Sequence, residues 1–474
     1  MSVLDAVVIG SGPNGLAAAV ELARKGHSVR VIEGQPTLGG GARTLPLTLP
    51  GFQHDLCSAI HPMAAASPFF EELELTKHGV EFVHSPHPLV HPLDGGAAIL
   101  ERSVEATAAR LGPDEKAWLR VMKPLARDFE TLKRFMFYPV TKPPLNAPIA
   151  AMNFGLKALQ SAFWYAEENF ETEEAKALLA GCAAHSFSAL DAPLTNTFGI
   201  LLSITGQVVG WPLVKGGSQK IIDALTALLL RNGGTIERGQ PITSLSQLPE
   251  SRLVLFDTHA HVVERVAGDA LPWWYRKLLT NVQLGAGVFK LDYALSGPMP
   301  WTSEACRHAA TLHLGGTMKE VAESEARLSR GEAPERPYVL VAQQSLFDDT
   351  RAPAGQHTLW AYCHVPNGSD LDVTAQIEAQ LERFAPGFQK LVLARTAKRT
   401  SDMEAGNAAY VGGDISGGAV EGLQALFRPA PGFSHGTPNP KLILCGASTP
   451  PGPAVHGMCG YWAAQVALER LRAR

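Results

Sequence analysis

The segment that constrains this chain most is Ala6-Val7-Val8-Ile9-Gly10-Ser11-Gly12-Pro13-Asn14-Gly15, an apolar run opening directly onto a G-x-G-x-x-G turn. Four consecutive apolar residues suit a parallel strand covered on both faces. Leu16, Ala19, Val20 and Ala23 follow at helical spacing, and Gly26 reads as the helix stop. A second apolar strand, Ser28 to Ile32, then ends in the acid Glu33. Glycine supplies 45 of the 474 residues, so the glycine spacing alone carries little weight. The strand, helix and acid around it carry the inference. Gly10 permits the tight turn, Gly12 lets backbone approach a pyrophosphate, and Gly15 lets the helix lie close on the strand. The free N–H groups of the helix start accept phosphate charge, and Glu33 accepts hydrogen bonds from a ribose diol. Dinucleotide binding is the expectation.

Length and charge narrow the class further. At 474 residues the chain exceeds one simple core, so two or three domains are expected. A formal net charge of −4 gives no reason to expect nucleic acid as a partner. The first strand begins almost at Met1, and no stretch is long and apolar enough to span a bilayer. The six cysteines are scattered without a C-x-x-C pair, which signals neither a dithiol redox centre nor a zinc knuckle. Such usage fits a reducing cytoplasm.

Beyond Glu33, Gly39-Gly40-Gly41-Ala42-Arg43-Thr44 is expected to wrap the phosphates a second time, Arg43 supplying charge-assisted hydrogen bonds. Gly51 to Phe70 holds His54, Asp55 and His61 without metal spacing. These read as buried structural groups, with His54 and His61 as substrate-pocket candidates. Ser103 to Asn196 reads as helical around a proline-rich break, Pro139 to Pro148. Within it, Ile149 to Trp164 mixes Met152, Phe154, Leu156, Leu159, Phe163 and Trp164 with Lys157. Core is the first reading of that piece; a cavity wall and a membrane-surface contact are the alternatives. A helix is expected at Gln219 to Leu230, a strand ending at Glu237, and a second sheet from Gly287–Leu295, Tyr338–Leu346, His357–His364 and Lys390–Arg395. Met318 to Arg330 and Gln376 to Phe384 read as helices of that part. At the C-terminus a strand, Lys441 to Gly446, leads through a Pro-rich loop to a helix opening at His456-Gly457-Met458 and running to Leu471. That is a second anion-accepting helix start. No other G-x-G-x-x-G occurs, which argues against a separate nicotinamide domain.

These stretches resemble the phytoene desaturase-related FAD oxidoreductases, most closely the pyridine nucleotide-disulphide oxidoreductase domain-containing protein 2 group. The resemblance covers nearly the whole chain. Its carriers are GSGPNGL, GGGART, Gly285–Trp301 (GAGVFKLDYALSGPMPW), Ala342–Gly368, Val411–Ala419 and Cys445–Tyr461. It implies an α/β chain with a Rossmann-type FAD-binding domain of the glutathione-reductase/amine-oxidase kind and an inserted α+β substrate domain. The FAD domain would combine 1–75, 212–280 and 396–474, and the substrate domain 76–211 and 281–395. FAD would lie extended across Gly10, Gly12, Pro13, Asn14 and Gly15, with its ribose at Glu33 and Gly34. Gly40, Gly41, Ala42, Arg43 and Thr44 would close over it, and a strand near Ile242 would bracket the adenine. The flavin ring would lie near Gly446, Ala447, His456, Gly457 and Met458.

Two departures from the family pattern stand out. Gly41 replaces the arginine many relatives carry, and Pro241 to Val263 is short for the strand pair expected there. The resemblance implies dehydrogenation of an apolar, isoprenoid- or carotenoid-like substrate by hydride transfer to flavin N5. Oxygen or a quinone would then reoxidise the flavin. The rival readings are a flavin-bound scaffold with little turnover, amine-oxidase-like chemistry, and redox-neutral isomerisation. No catalytic residue, metal site or oligomeric state follows from the sequence, and contact with a membrane from a cytoplasmic location stays open.

Overall fold

A computed structural model describes residues 3–139 and 147–473. The apolar run folds as the strand Leu4–Ile9, the centre of a five-stranded parallel sheet. Val29–Ile32 and then Thr235–Glu237 pair on one side of it, Ser251–Phe256 and then Leu442–Leu444 on the other. Both faces are covered, which explains the continuous apolar strand. On one face Ala6, Val8, Leu253 and Leu255 pack with residues of the helices Pro13–Arg24, Gln219–Arg231 and Met458–Arg472. On the other, Ile9, Val254, Phe256 and Leu444 pack with Ala260, Val263 and Val266 of the helix Ala260–Ala267.

The second sheet has seven strands. In order they are Val392–Lys398, Gly287–Leu295, His357–Val365, Val339–Ala342, Thr311–Leu314, Leu89–Leu93 and Gly96–Leu100. Every pairing is antiparallel except that of Thr311–Leu314 with Leu89–Leu93. Alternation along the strands sorts its side chains into two layers. Phe289, Leu291, Leu359, Ala361 and Cys363 form an apolar core with the helix Thr374–Phe384. The opposite face joins the main core through Val288, Trp360, Tyr362, Leu340 and Ala342, and there it meets the helical layer containing Glu173–Ala183 and Thr195–Val208.

Three expectations change. The hairpin Leu89–Leu93/Gly96–Leu100, the strand Thr311–Leu314 and the strand Ser251–Phe256 were not legible in the pattern, because they are short and Pro92 reads as a break. Ile242 lies in coil rather than in a strand. Pro241 has no N–H to give a ladder, yet the segment still runs beside Glu33, Gln240 N–H donating to the Glu33 carbonyl at 2.9 Å. Ile149–Trp164 is not plain core. The helix Pro148–Ala158 buries Phe154 and Ala158 but leaves Ile149 (76%), Met152, Leu156 and Leu159 exposed, and Trp164 of the next helix is exposed too. Residues 140–146 of the proline-rich break lie outside the described residues.

Candidate functional site

The two glycine-rich segments meet. Gly10 takes a left-handed conformation (φ 99°), and Gly12 caps the first helix with Pro13 next in line, so the cap residue itself places no side chain over the helix start. A Cβ on Gly15 would lie 2.4 Å from the Gly10 carbonyl oxygen, so only glycine lets this helix sit so close to its strand. Glu33 accepts from Ser11 N–H (2.9 Å), Ser11 Oγ (2.6 Å) and Gln35 N–H (2.8 Å). Ser11 Oγ in turn accepts from Gly39 N–H at 3.1 Å. A Cβ on Gly40 would stand 3.1 Å from Gly12 Cα, so the loop at 39–41 lies directly on the first turn. Arg43 donates to the carbonyls of Gly40 (2.8 Å) and Gly406 (2.6 Å) and to Thr37 Oγ1 (3.2 Å), so its charge braces the loop.

The C-terminal helix closes the same corner. Gly460 packs so tightly on the first helix that a Cβ there would overlap the Asn14 carbonyl. The buried Asn14 Oδ1 has no protein partner. Gly446 lies against Thr258 just beyond the Ser251–Phe256 strand, and His456 Nδ1 accepts from Met458 N–H at 2.9 Å. Burial holds the His456 imidazole down at about 4, so it is neutral. Asp257 was not anticipated. Its Oδ2 accepts from Gly15 N–H at 2.9 Å, which places a carboxylate where the helix start receives an anion.

From this corner a continuous path of contacts leads to the second sheet. Leu56 N–H and Ser58 N–H bond to the carbonyls of Arg43 and Gly41, which places Cys57 beside the loop. Burial raises the Cys57 thiol, the Tyr410 hydroxyl is its partner, and Lys290 adds a favourable charge. Lys290 forms a buried ion pair with Asp292 and stands 5.7 Å from the centre of the Trp360 ring. Register then fixes the row: Asp292 opposite Trp360, Lys290 opposite Tyr362, Val288 opposite His364, all on one face. The face is polar where a plain core would be apolar. Asp292 Oδ1, Trp360 Nε1, His364 Nε2, His313 Nδ1 and His91 Nδ1 are buried without protein partners. Each such group costs about 1–3 kcal/mol when unmet, so their clustering sets this face apart as a candidate site.

The two pocket candidates divide. His54 joins the row, its Nδ1 3.7 Å from Asp292 Oδ1 and its Nε2 2.7 Å from Thr48 Oγ1. His61 bonds Ser218 Oγ at 2.8 Å within a buried network centred on Asp55 and Arg351. Burial lowers both imidazoles, His54 to about 3 and His61 to about 4. Lys290, Trp360, Tyr362 and His364 were missed because they lie far apart in sequence. The signal was present in the strands themselves, where Lys290, Asp292, Trp360, Tyr362 and His364 alternate with the apolar residues of the opposite face.

Residues 8–73 match the model of the NAD(P)-binding Rossmann-like domain. Over 99% of this chain and 94% of the other, the sequence is 26% identical to pyridine nucleotide-disulfide oxidoreductase domain-containing protein 2 of Rattus norvegicus. It is 23% identical to the neurosporene-forming phytoene desaturase of Rhodobacter capsulatus, over 96% of this chain and 92% of that one. Along its length the chain is similar to curated phytoene desaturases and to pyridine nucleotide-disulfide oxidoreductase domain-containing protein 2. The fold agrees: an oxidoreductase structure from Methanosarcina mazei superposes with a TM-score of 0.64 at 18% identity, covering 98% of this chain and all of that one.

This FAD-dependent oxidoreductase has residues that fit its cofactor. The cradle that any Cβ at Gly15 would close, the glycine-capped helix start, the unpartnered Asn14 Oδ1 and the acid ending the second strand are what an extended dinucleotide requires. Asp257 makes that fit depend on pH. Burial raises its carboxyl to about 7, the Glu33 charge adds to the effect, and the N–H bonds of Gly15 and Gly12 oppose it. A value above the ordinary 3.8 means that the folded chain holds a proton the unfolded chain releases, so this group's contribution to stability falls as pH rises from 3.8 through about 7. Above about 7 the ionised carboxylate competes with the diphosphate. FAD affinity, measured by quenching of flavin fluorescence, is expected to weaken by up to about tenfold per pH unit there. Asp257→Asn is expected to flatten that dependence; an unchanged slope would exclude Asp257 as its source.

Proposed function

We propose that this oxidoreductase dehydrogenates an apolar, isoprenoid-like substrate that it takes up from a membrane surface. The observation that carries the reading is the outward apolar stripe Ile149, Met152, Leu156 and Leu159, continued by Trp164 and flanked by Lys157. The helix that carries it packs on Thr195–Val208, one of the helices that lie against the second sheet. An exposed aliphatic row with a tryptophan and a lysine suits the interface of a bilayer. No helix among the described residues is long and apolar enough to cross one. In this reading 1–75, 212–280 and 396–474 hold the cofactor, and 76–211 with 281–395 hold the substrate.

When bound, FAD supplies the two-electron acceptor, taking a hydride at N5. The chain supplies the rest. The glycine cradle and Glu33 fix the adenosine end; Gly446, His456 and Met458 border the ring. Trp360, Tyr362, Val288 and Leu340 form the wall against which the substrate packs, excluding water from the reacting carbon. Oxygen or a quinone takes the electrons away.

Two experiments test this. Ile149→Glu combined with Leu156→Glu is expected to lower liposome binding at least tenfold, in a flotation assay, without lowering the melting temperature, since both side chains are exposed. Undiminished binding would remove the membrane route. Anaerobic mixing with phytoene in liposomes is expected to bleach the flavin's visible band. A band that persists with phytoene but bleaches with an amine would favour amine oxidation, and one that persists with every donor would favour a scaffold.

A further inference from the structure

Five buried imidazoles and the half-buried His185 lie around the sheet face and the loop beside it, and one of them differs from the others. His185 Nε2 faces His313 Nε2 at 3.2 Å, and both are held neutral by burial. His91 Nε2 bonds the Gly316 carbonyl, His61 bonds a serine and His54 a threonine. Asp292 lies near His54 but beyond hydrogen-bond distance, and its charge is already met by Lys290. Only His364 is joined to an acid of its own. Its Nδ1 lies 2.6 Å from Glu325 Oε2, with both side chains at most 1% exposed. Glu325 comes from the helix Met318–Ser329, which packs across the end of the sheet. A carboxylate accepts from Nδ1–H, which fixes the tautomer and leaves Nε2 bare as an acceptor. That Nε2 is buried and meets no protein donor.

We propose that His364, held by Glu325, is the proton acceptor of the dehydrogenation, with Glu325 as its positioning residue. This rests on the function proposed above. Removing two hydrogens from a substrate breaks two bonds. One C–H bond departs with its electron pair as hydride to FAD, which is reduced. The neighbouring atom loses its hydrogen as a proton to Nε2, and the electron pair left behind forms the new double bond of the oxidised product. Among the bare acceptors of this face, His364 Nε2 is the imidazole nitrogen backed by a carboxylate, which suits it to take that proton. His364 follows Tyr362 by two residues on the same face, one place along from Lys290. The groups around it are Glu325, the ring of Phe187 at 4.1 Å between centres, Tyr362 at 5.7 Å and Tyr338 at 5.9 Å, with the His185 imidazole close enough to feel its charge.

The test uses the full chain loaded with FAD. In ¹⁵N-histidine NMR, the signal absent from His364→Gln is expected to show protonated Nδ1 and bare Nε2, and Glu325→Gln is expected to abolish that pattern. A protonated Nε2, or a signal indifferent to Glu325→Gln, overturns the proposal. Flavin bleaching by phytoene or putrescine, whichever reduces the wild type, is then expected to slow at least a hundredfold in His364→Gln with FAD affinity unchanged. Its acid limb in a pH profile is expected to move in Glu325→Gln. Bleaching at the wild-type rate in His364→Gln overturns the proposal. If neither probe bleaches the wild type, the proposed function fails on its own account, and the tautomer decides for or against the proton acceptor.

Discussion

Replacing Arg351 by methionine is expected to cost about 3–5 kcal/mol of folding stability, the cost of leaving a buried carboxylate without its cation. Arg351 Nη2 donates to Asp55 at 2.9 Å and its Nε to Asp348 at 2.7 Å, all three nearly inaccessible. Asp55 also accepts from Ser218 N–H and Thr44 Oγ1, so the network ties the segment after the glycine cluster to the helix Gln219–Arg231 and to the second sheet. The pH dependence is expected to invert. Burial alone would raise the Asp55 carboxyl, but the Arg351 charge and these hydrogen bonds hold it below 3.8. The wild-type network therefore stabilises above about pH 4 and is lost as pH falls through the lowered value. In Arg351→Met burial acts unopposed by that charge, so stability is expected to fall as pH rises instead. Urea unfolding at several pH values measures both; equal stability of the two proteins would refute the role given to this network.

Gly15→Val is expected to abolish FAD retention. The added Cβ would stand 2.4 Å from a backbone oxygen and 2.8 Å from the Asp257 side chain, and backbone cannot turn away as a side-chain tip can. The helix must move off its strand, which costs about 1–3 kcal/mol and takes its N–H groups away from the diphosphate. Gly96→Ala is the control, because a Cβ there meets nothing within 4 Å. Retention of cofactor by Gly15→Val after purification would show that the cradle is not where FAD is held.

Most of the first sheet was legible in the sequence, because a buried parallel strand, a glycine turn and an acid at the next strand's end write their constraints within thirty or so residues. The strand Gly287–Leu295 was placed to the residue for a similar reason: nine buried positions leave no ambiguity of period. The polar–aromatic face was not legible. Lys290, Trp360 and His364 share it only through pairing register, and register is a property of two strands rather than one. Asp257 was hidden differently. Its strand is a short run that reads equally as coil, and its meaning arises only when that strand lands beside the first. The stripe at Ile149–Leu159 was read first as core because composition cannot say which way a helix faces.

The account turns on Glu33 sitting at the ribose of a resident FAD, and cofactor content measures that directly. Wild-type protein is expected to carry stoichiometric FAD, released by denaturation and identified by chromatography. Glu33→Ala loses charged hydrogen bonds worth about 1.5–3 kcal/mol each and is expected to bind FAD at least about tenfold more weakly. Equal FAD affinity in the two proteins, or a wild type that cannot be loaded with FAD, would contradict it.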